Sequence, residues 1–79
     1  MVTVASAYGF RFVMFTNDHD PPHVHVFGHV GEAKIILGPG SPELDWTVGI
    51  RGSDQRKIMQ EAQEIHQRLV EAWRRIHEK

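Results

Sequence analysis

From Ser53 to Glu78 the chain runs for 26 residues without a glycine or a proline, whereas all seven glycines and all four prolines lie before that run. Glycine and proline are the strongest local punctuation, and their absence over seven turns permits a long helix. Ile58, Ala62, Ile65, Leu69, Ala72, Trp73 and Ile76 fall on one stripe at helical spacing. Ser53 is placed as its N-cap, and Asp54 suits the positive end of the dipole. Arg74, Arg75 and Lys79 complement the other end. Glu64–Arg68 and Glu71–Arg75 are i,i+4 pairs, each contributing only about 0.3–0.5 kcal/mol.

The punctuated part reads as short strands. Residues 8–16 are aromatic and β-prone, with Phe10, Phe12 and Met14 on one face and Arg11, Val13 and Phe15 on the other. Asn17-Asp18-His19-Asp20-Pro21-Pro22 is a stiff loop. Residues 23–27 alternate again: Val24 and Val26 share a face, and His23, His25 and Phe27 share the opposite one. Gly28-His29-Val30-Gly31 reads as a hairpin connection with His29 a turn residue. A third strand follows at 32–37 and a fourth at 43–50, the latter with Leu44, Trp46, Val48 and Ile50 on one face. Short loops between successive strands favour an antiparallel meander. The expected fold is therefore one α+β domain over residues 1–79. It has two layers, a three- to four-stranded meander packed on one long C-terminal helix.

One helix covers one sheet face. The other face then carries Arg11, Val13, Phe15, His23, His25, Phe27, Lys34 and Ile36. Its apolar middle forms a patch of roughly a few hundred Å², the size that marks interaction sites. A straight helix of that length spans about 39 Å, against about 19 Å for four strands, so Trp73 and Ile76 are expected to overhang. Phe15, Phe27, Trp73 and Ile76 are the candidate interface residues, and the expected assembly is a homodimer.

Composition bounds the rest. Hydrophobic residues at 41% and charged residues at 24% are globular values. There is no cysteine, which excludes disulfides and thiolate metal sites and fits a reducing compartment. Formal net charge is -1, so nucleic acid would need a local basic patch. No basic leader segment and no run near the ~20 apolar residues of a membrane span is present. The expectation is a soluble, cytoplasmic chain without membrane contact.

The chemistry is concentrated in Asp18-His19-Asp20-Pro21-Pro22-His23-Val24-His25. Three readings stay open. His23 and His25 lie two apart on a strand, the spacing that offers two imidazoles to one metal ion. His19, Asp18 and Asp20 can add donors, and Zn²⁺ or another imidazole-preferring divalent ion is the candidate. Without a metal, the same pair can move protons near neutral pH. Arg11 or Lys34 would then hold a phosphate, the ingredients of a ribonuclease. The third reading is architectural, with His19 and His23 only fixing the loop. Whether the chain is an enzyme, a metal-free ribonuclease or a metal-dependent hydrolase, is left undecided, with the balance against. His66 reads as a satisfied core-edge histidine and His77 as a solvent residue near a fraying end. Trp46 and Trp73 read as core or interface aromatics, since no basic residues interleave with them.

The run Asp18-His19-Asp20-Pro21-Pro22-His23-Val24-His25-Val26 resembles the signature of a small bacterial family, the domain of unknown function numbered 4160. The strand Glu32-Ala33-Lys34-Ile35 and a C-terminal helix with a tryptophan, here Trp73, extend the resemblance over nearly the whole chain. The matching positions are Asp18, His19, Pro21, Pro22, His23, His25 and Trp73. Gly38-Pro39-Gly40-Ser41-Pro42 departs from the pattern and puts the register of the fourth strand in question. The resemblance implies a component of a two-gene, toxin–antitoxin-like cassette, with a small cognate protein from the same operon as partner.

Overall fold

A computed structural model describes residues 1–78; Lys79, placed above at the helix end, lies outside the described residues. The fold is α+β, with two helices packed on a five-stranded antiparallel sheet in sequential order. The strands are β1 (Val2–Ala7), β2 (Phe10–Met14), β3 (His23–Phe27), β4 (Glu32–Ile36) and β5 (Glu43–Val48). The helices are α1 (Gly52–Glu64) and α2 (His66–His77).

The meander is longer than expected by one strand. β1 pairs with β2 through Ala7↔Phe10 and Ser6↔Arg11, with a bulge between Thr3 and Ala5. Its Ala-Ser-Ala half has weak β propensity and gave no strand signal. Residues 8 and 9, read above as the start of a strand, form the turn instead, with Tyr8 at φ 55 and Gly9 at φ 80. Two successive positive φ values give the twist that a tight hairpin needs.

Alternation along β2, β3 and β4 follows the expected parity. Phe12, Met14, Val24, Val26, Ala33, Ile35 and Leu37 are buried against the helices. Leu37 extends the β3–β4 pairing by donating its N–H to Pro22 O at 2.9 Å. β5 departs from expectation. Lys34 pairs with Trp46 but Ile35 pairs with Leu44, so Asp45 is the extra residue of a β-bulge. The bulge flips the rest of the strand. Leu44 keeps its inward register, Thr47 opposes Ala33 on the inner face, and Trp46 and Val48 turn outward opposite Lys34 and Glu32. On this edge strand Leu44 and Trp46 are about equally exposed, at 36% and 37%, and Val48 is 64% exposed, whereas Ile50, beyond the strand, is buried as expected.

The helical run also differs from a single straight rod. It starts at Gly52, with Arg51 rather than Ser53 at the N-cap and no side-chain cap. The Gln55 side chain instead donates back to Ile50 O at 2.7 Å. Asp54 lies in the first turn as expected. The run breaks at Ile65, whose ψ of 18° leaves the helical range. His66 follows directly, and its Nε2–H points at Leu37 O (2.6 Å) and Gly38 O (3.1 Å). The satisfied core-edge histidine thus ties the break to the loop after β4. Trp73 does not overhang. It is 6% exposed within the core, with Ile76 packed against the same cluster, because the bend and the fifth strand give the helix end a surface to cover.

Candidate functional site

The end of the sheet at His23 is where the stiff loop, β2 and α2 converge. After β2 the chain turns on itself. Asp18 donates its N–H to Phe15 O at 3.1 Å, and Asp18 Oδ2 accepts from Phe15 N–H at 3.2 Å. This reciprocal pair is the local closure that aspartate favours in turns. It aims the Asp18 carboxylate at β3. The loop returns through a cis Asp20–Pro21 bond and delivers His23 into the sheet.

His23 and His25 lie on the face opposite Val24 and Val26, as strand parity requires, yet neither is a plain surface residue. His23 is 5% exposed. Its Nδ1 lies 2.8 Å from Pro21 O, so Nδ1 carries the proton that donates there. Its Nε2 lies 3.3 Å from Asp18 Oδ2. With Nδ1 occupied by Pro21 O, Nε2 is the ring atom turned to the Asp18 carboxylate. Trp73 covers the ring at a centroid distance of 5.1 Å.

His25 sits in an aromatic layer on the outer face. Phe15 meets it edge-on at 5.3 Å, Phe27 stacks at 6.2 Å, and Trp46 lies at 6.4 Å. Beneath them Val13 is fully buried despite having no helix on its side. Burial pushes the His25 pKa below the ordinary histidine value. Asp18 pulls it back up, His23 and Lys34 lower it further, and Glu32 raises it slightly. Its Nδ1 is buried without a hydrogen-bond partner.

The sequence candidates therefore separate. Asp18, His23 and His25 each offer a donor atom within 4.8 Å of the others, and they are the residues that could hold a metal. His19 and Asp20 are exposed on the loop and lie outside that cluster. Lys34 pairs directly with His25 across β3 and β4, but its ammonium lies 3.7 Å from Asp45 Oδ2. Arg11 is exposed opposite Phe27, away from His23. Phe15 and Phe27 are half-buried in the outer aromatic layer.

His77 joins the site unexpectedly. Its Nε2 lies 3.0 Å from Phe15 O and its Nδ1 3.0 Å from Trp73 O, and the ring stacks on Trp73 at 3.7 Å. Both neighbours are carbonyl acceptors, one on the last turn of α2 and one at the end of β2. Its spacing from Trp73, one helical turn, was the signal that could have placed it. An open groove of about 480 Å³ lies between the Thr16–Asp20 loop and Trp73, Ile76 and His77. It brings solvent to Asp18, whose side chain is 18% exposed.

Neither curated proteins nor solved structures include a match to this chain. The profile of one protein family does match, over residues 9–74, a span that begins at the β1–β2 turn and includes the whole loop, both histidines of β3 and Trp73. By that match the chain belongs to the family described as Domain of unknown function (DUF4160).

Proposed function

We propose that the chain is a small bacterial, cytoplasmic interaction module that docks a second copy of itself, or a small cognate protein from the same operon, through the outer sheet face. One observation carries this reading: the bulge at Asp45 turns Trp46 and Val48 onto the face that no helix covers. Beside them lies the half-buried aromatic layer of Phe15, His25 and Phe27. An exposed tryptophan backed by a rigid aromatic layer has the character of a binding hot spot. The two-gene, toxin–antitoxin-like cassette that the family resemblance implies would make that partner a small cognate protein. Among the described residues, no helix is long and apolar enough to cross a membrane. The ribonuclease-like alternative has less support, because His23 is buried with both ring nitrogens engaged and Arg11 lies apart from it.

Light scattering over a concentration series, with co-purification of the neighbouring small protein, tests the reading. A complex is expected, and Trp46→Ala should weaken it by about tenfold or more. A wild-type chain that stays monomeric at high concentration and retains no cognate protein would overturn it, as would a complex indifferent to Trp46→Ala.

A further inference from the structure

We propose that Asp18, His23 and His25 form a binding site for one divalent transition cation of the Zn²⁺ class, with a coordination position left open toward solvent. The donor set is two imidazoles and one carboxylate, all within 4.8 Å of one another. A tetrahedral ion with bonds of about 2.0–2.2 Å holds its donors about 3.3–3.6 Å apart. Asp18 Oδ2 and His23 Nε2 already stand at 3.3 Å. Only His25 has to approach, from no more than 4.8 Å, a closure of at most about 1.5 Å that rotation of its ring and of the Asp18 carboxylate would share.

Three features of the surroundings distinguish the cluster from a chance meeting of polar side chains. First, His23 Nδ1 is tied to Pro21 O, which leaves Nε2 as the ligand atom. Metal-bound histidines are oriented in this way by their second nitrogen. Second, Asp18 is held by the Phe15 N–H. Third, His25 lies among Phe15, Phe27 and Trp46 while its Nδ1 is buried and unpaired. An unpaired buried nitrogen is unfavourable, and a bond from His25 Nδ1 to an ion would remove that penalty. Two ligands come from one rigid strand, and the third from a loop closed by two reciprocal hydrogen bonds.

The ligand chemistry selects the ion. Mg²⁺ and Ca²⁺ prefer oxygen donors, whereas imidazole suits Zn²⁺, Co²⁺ and their neighbours. Three protein donors leave a fourth tetrahedral position for water, and of the three donors it is Asp18 that the groove reaches. The site does not depend on the interaction reading: a monomer that binds one ion would retain it.

The test uses the full chain without an affinity tag, stripped with chelator and titrated with Co²⁺ and then Zn²⁺. One equivalent of Co²⁺ is expected to give the visible absorption of a four- or five-coordinate ion, displaced by Zn²⁺. Zn²⁺ should raise the melting temperature, and Mg²⁺ should not. Asp18→Asn and His25→Phe should each weaken binding by about tenfold or more. His19→Ala should leave it unchanged. Should a variant fail to fold, imidazole nitrogen shifts in the wild type decide the matter, because Zn²⁺ must move those of both His23 and His25. Unmoved shifts overturn the proposal. So does a melting temperature indifferent to Zn²⁺, or a His19→Ala loss equal to that of His25→Phe, which would put any bound ion on the exposed loop.

Discussion

His25 is the residue whose surroundings most change its ordinary behaviour. Burial disfavours its charged form, and Asp18, His23, Lys34 and Glu32 are the charged or titratable groups that face it. Its folded pKa is lowered, so the unfolded chain takes up its proton first as pH falls. In metal-free protein, this residue's effect on stability is neutral well above the unfolded value of about 6.5 and unfavourable below it, growing until the lowered folded pKa is passed. Urea midpoints measured with chelator should therefore fall between pH 7.5 and pH 5.5. The fall should be shallower in His25→Phe, which keeps a ring among Phe15, Phe27 and Trp46. Equal slopes in the two proteins would show that His25 is not responsible. His77 shows that the same residue type is settled by position. With both nitrogens on carbonyl oxygens and its face on Trp73, it binds the last turn of α2 to the end of β2.

At the scale of elements, the sheet depends on close approaches between turns. Gly31, at the end of the β3–β4 hairpin, lies against the chain leaving β5. A Cβ there would stand 2.5 Å from Val48 O and 2.8 Å from Gly49 C, both backbone atoms with little room to yield. Gly31→Ala is expected to destabilise the protein by about 1–3 kcal/mol through this overpacking. Gly40→Ala, where nothing lies within 4 Å, should stay within about 0.5 kcal/mol of wild type. Paired denaturation curves measure the contrast, and similar losses for both would remove steric approach as the cause. The bulge at Asp45 has the larger functional consequence. One inserted residue sets which face of β5 is wet, and therefore whether Trp46 belongs to the core or to a binding surface.

The whole molecule is a one-sided sandwich. The two helices bury a core of Phe12, Met14, Ile35, Leu37, Ile58 and Leu69, while the opposite face, apart from Trp73 over His23, is covered by its own aromatic side chains. A chain of this size buries a modest fraction of its surface, and net stability in such domains is only about 5–15 kcal/mol. Trp73 is the point at which core, site and helix end meet, through the core cluster, His23 and His77. Trp73→Ala should cost about 3–5 kcal/mol and leave much of the population unfolded near the physiological range. Thermal unfolding followed by near-ultraviolet circular dichroism reads this directly. A loss below about 1 kcal/mol would instead place Trp73 on an interface, where the helix-overhang expectation had put it.

Parity and period could be read from the residues alone. Alternation put Val24 and Val26 inward with His23 and His25 opposite, and the helical stripe from Ile58 to Ile76 named the residues that cover them. Both follow from backbone geometry repeated along the chain, which local residue types report. Only the tertiary structure decided the exceptions. The Ala-Ser-Ala half of β1 is a strand through its pairing with Phe10, Arg11 and Phe12 of β2, not through its own propensity. The Asp45 bulge and the break at Ile65 accommodate partners distant in sequence, as does His77 in reaching Phe15 O, 62 residues away. The same holds for the site. The motif supplied five candidate metal donors, and the folding of the loop brought together Asp18, His23 and His25, leaving His19 and Asp20 in solvent. Contacts of that kind carry no local period, because the energy that selects them comes from groups that meet only once the chain has closed.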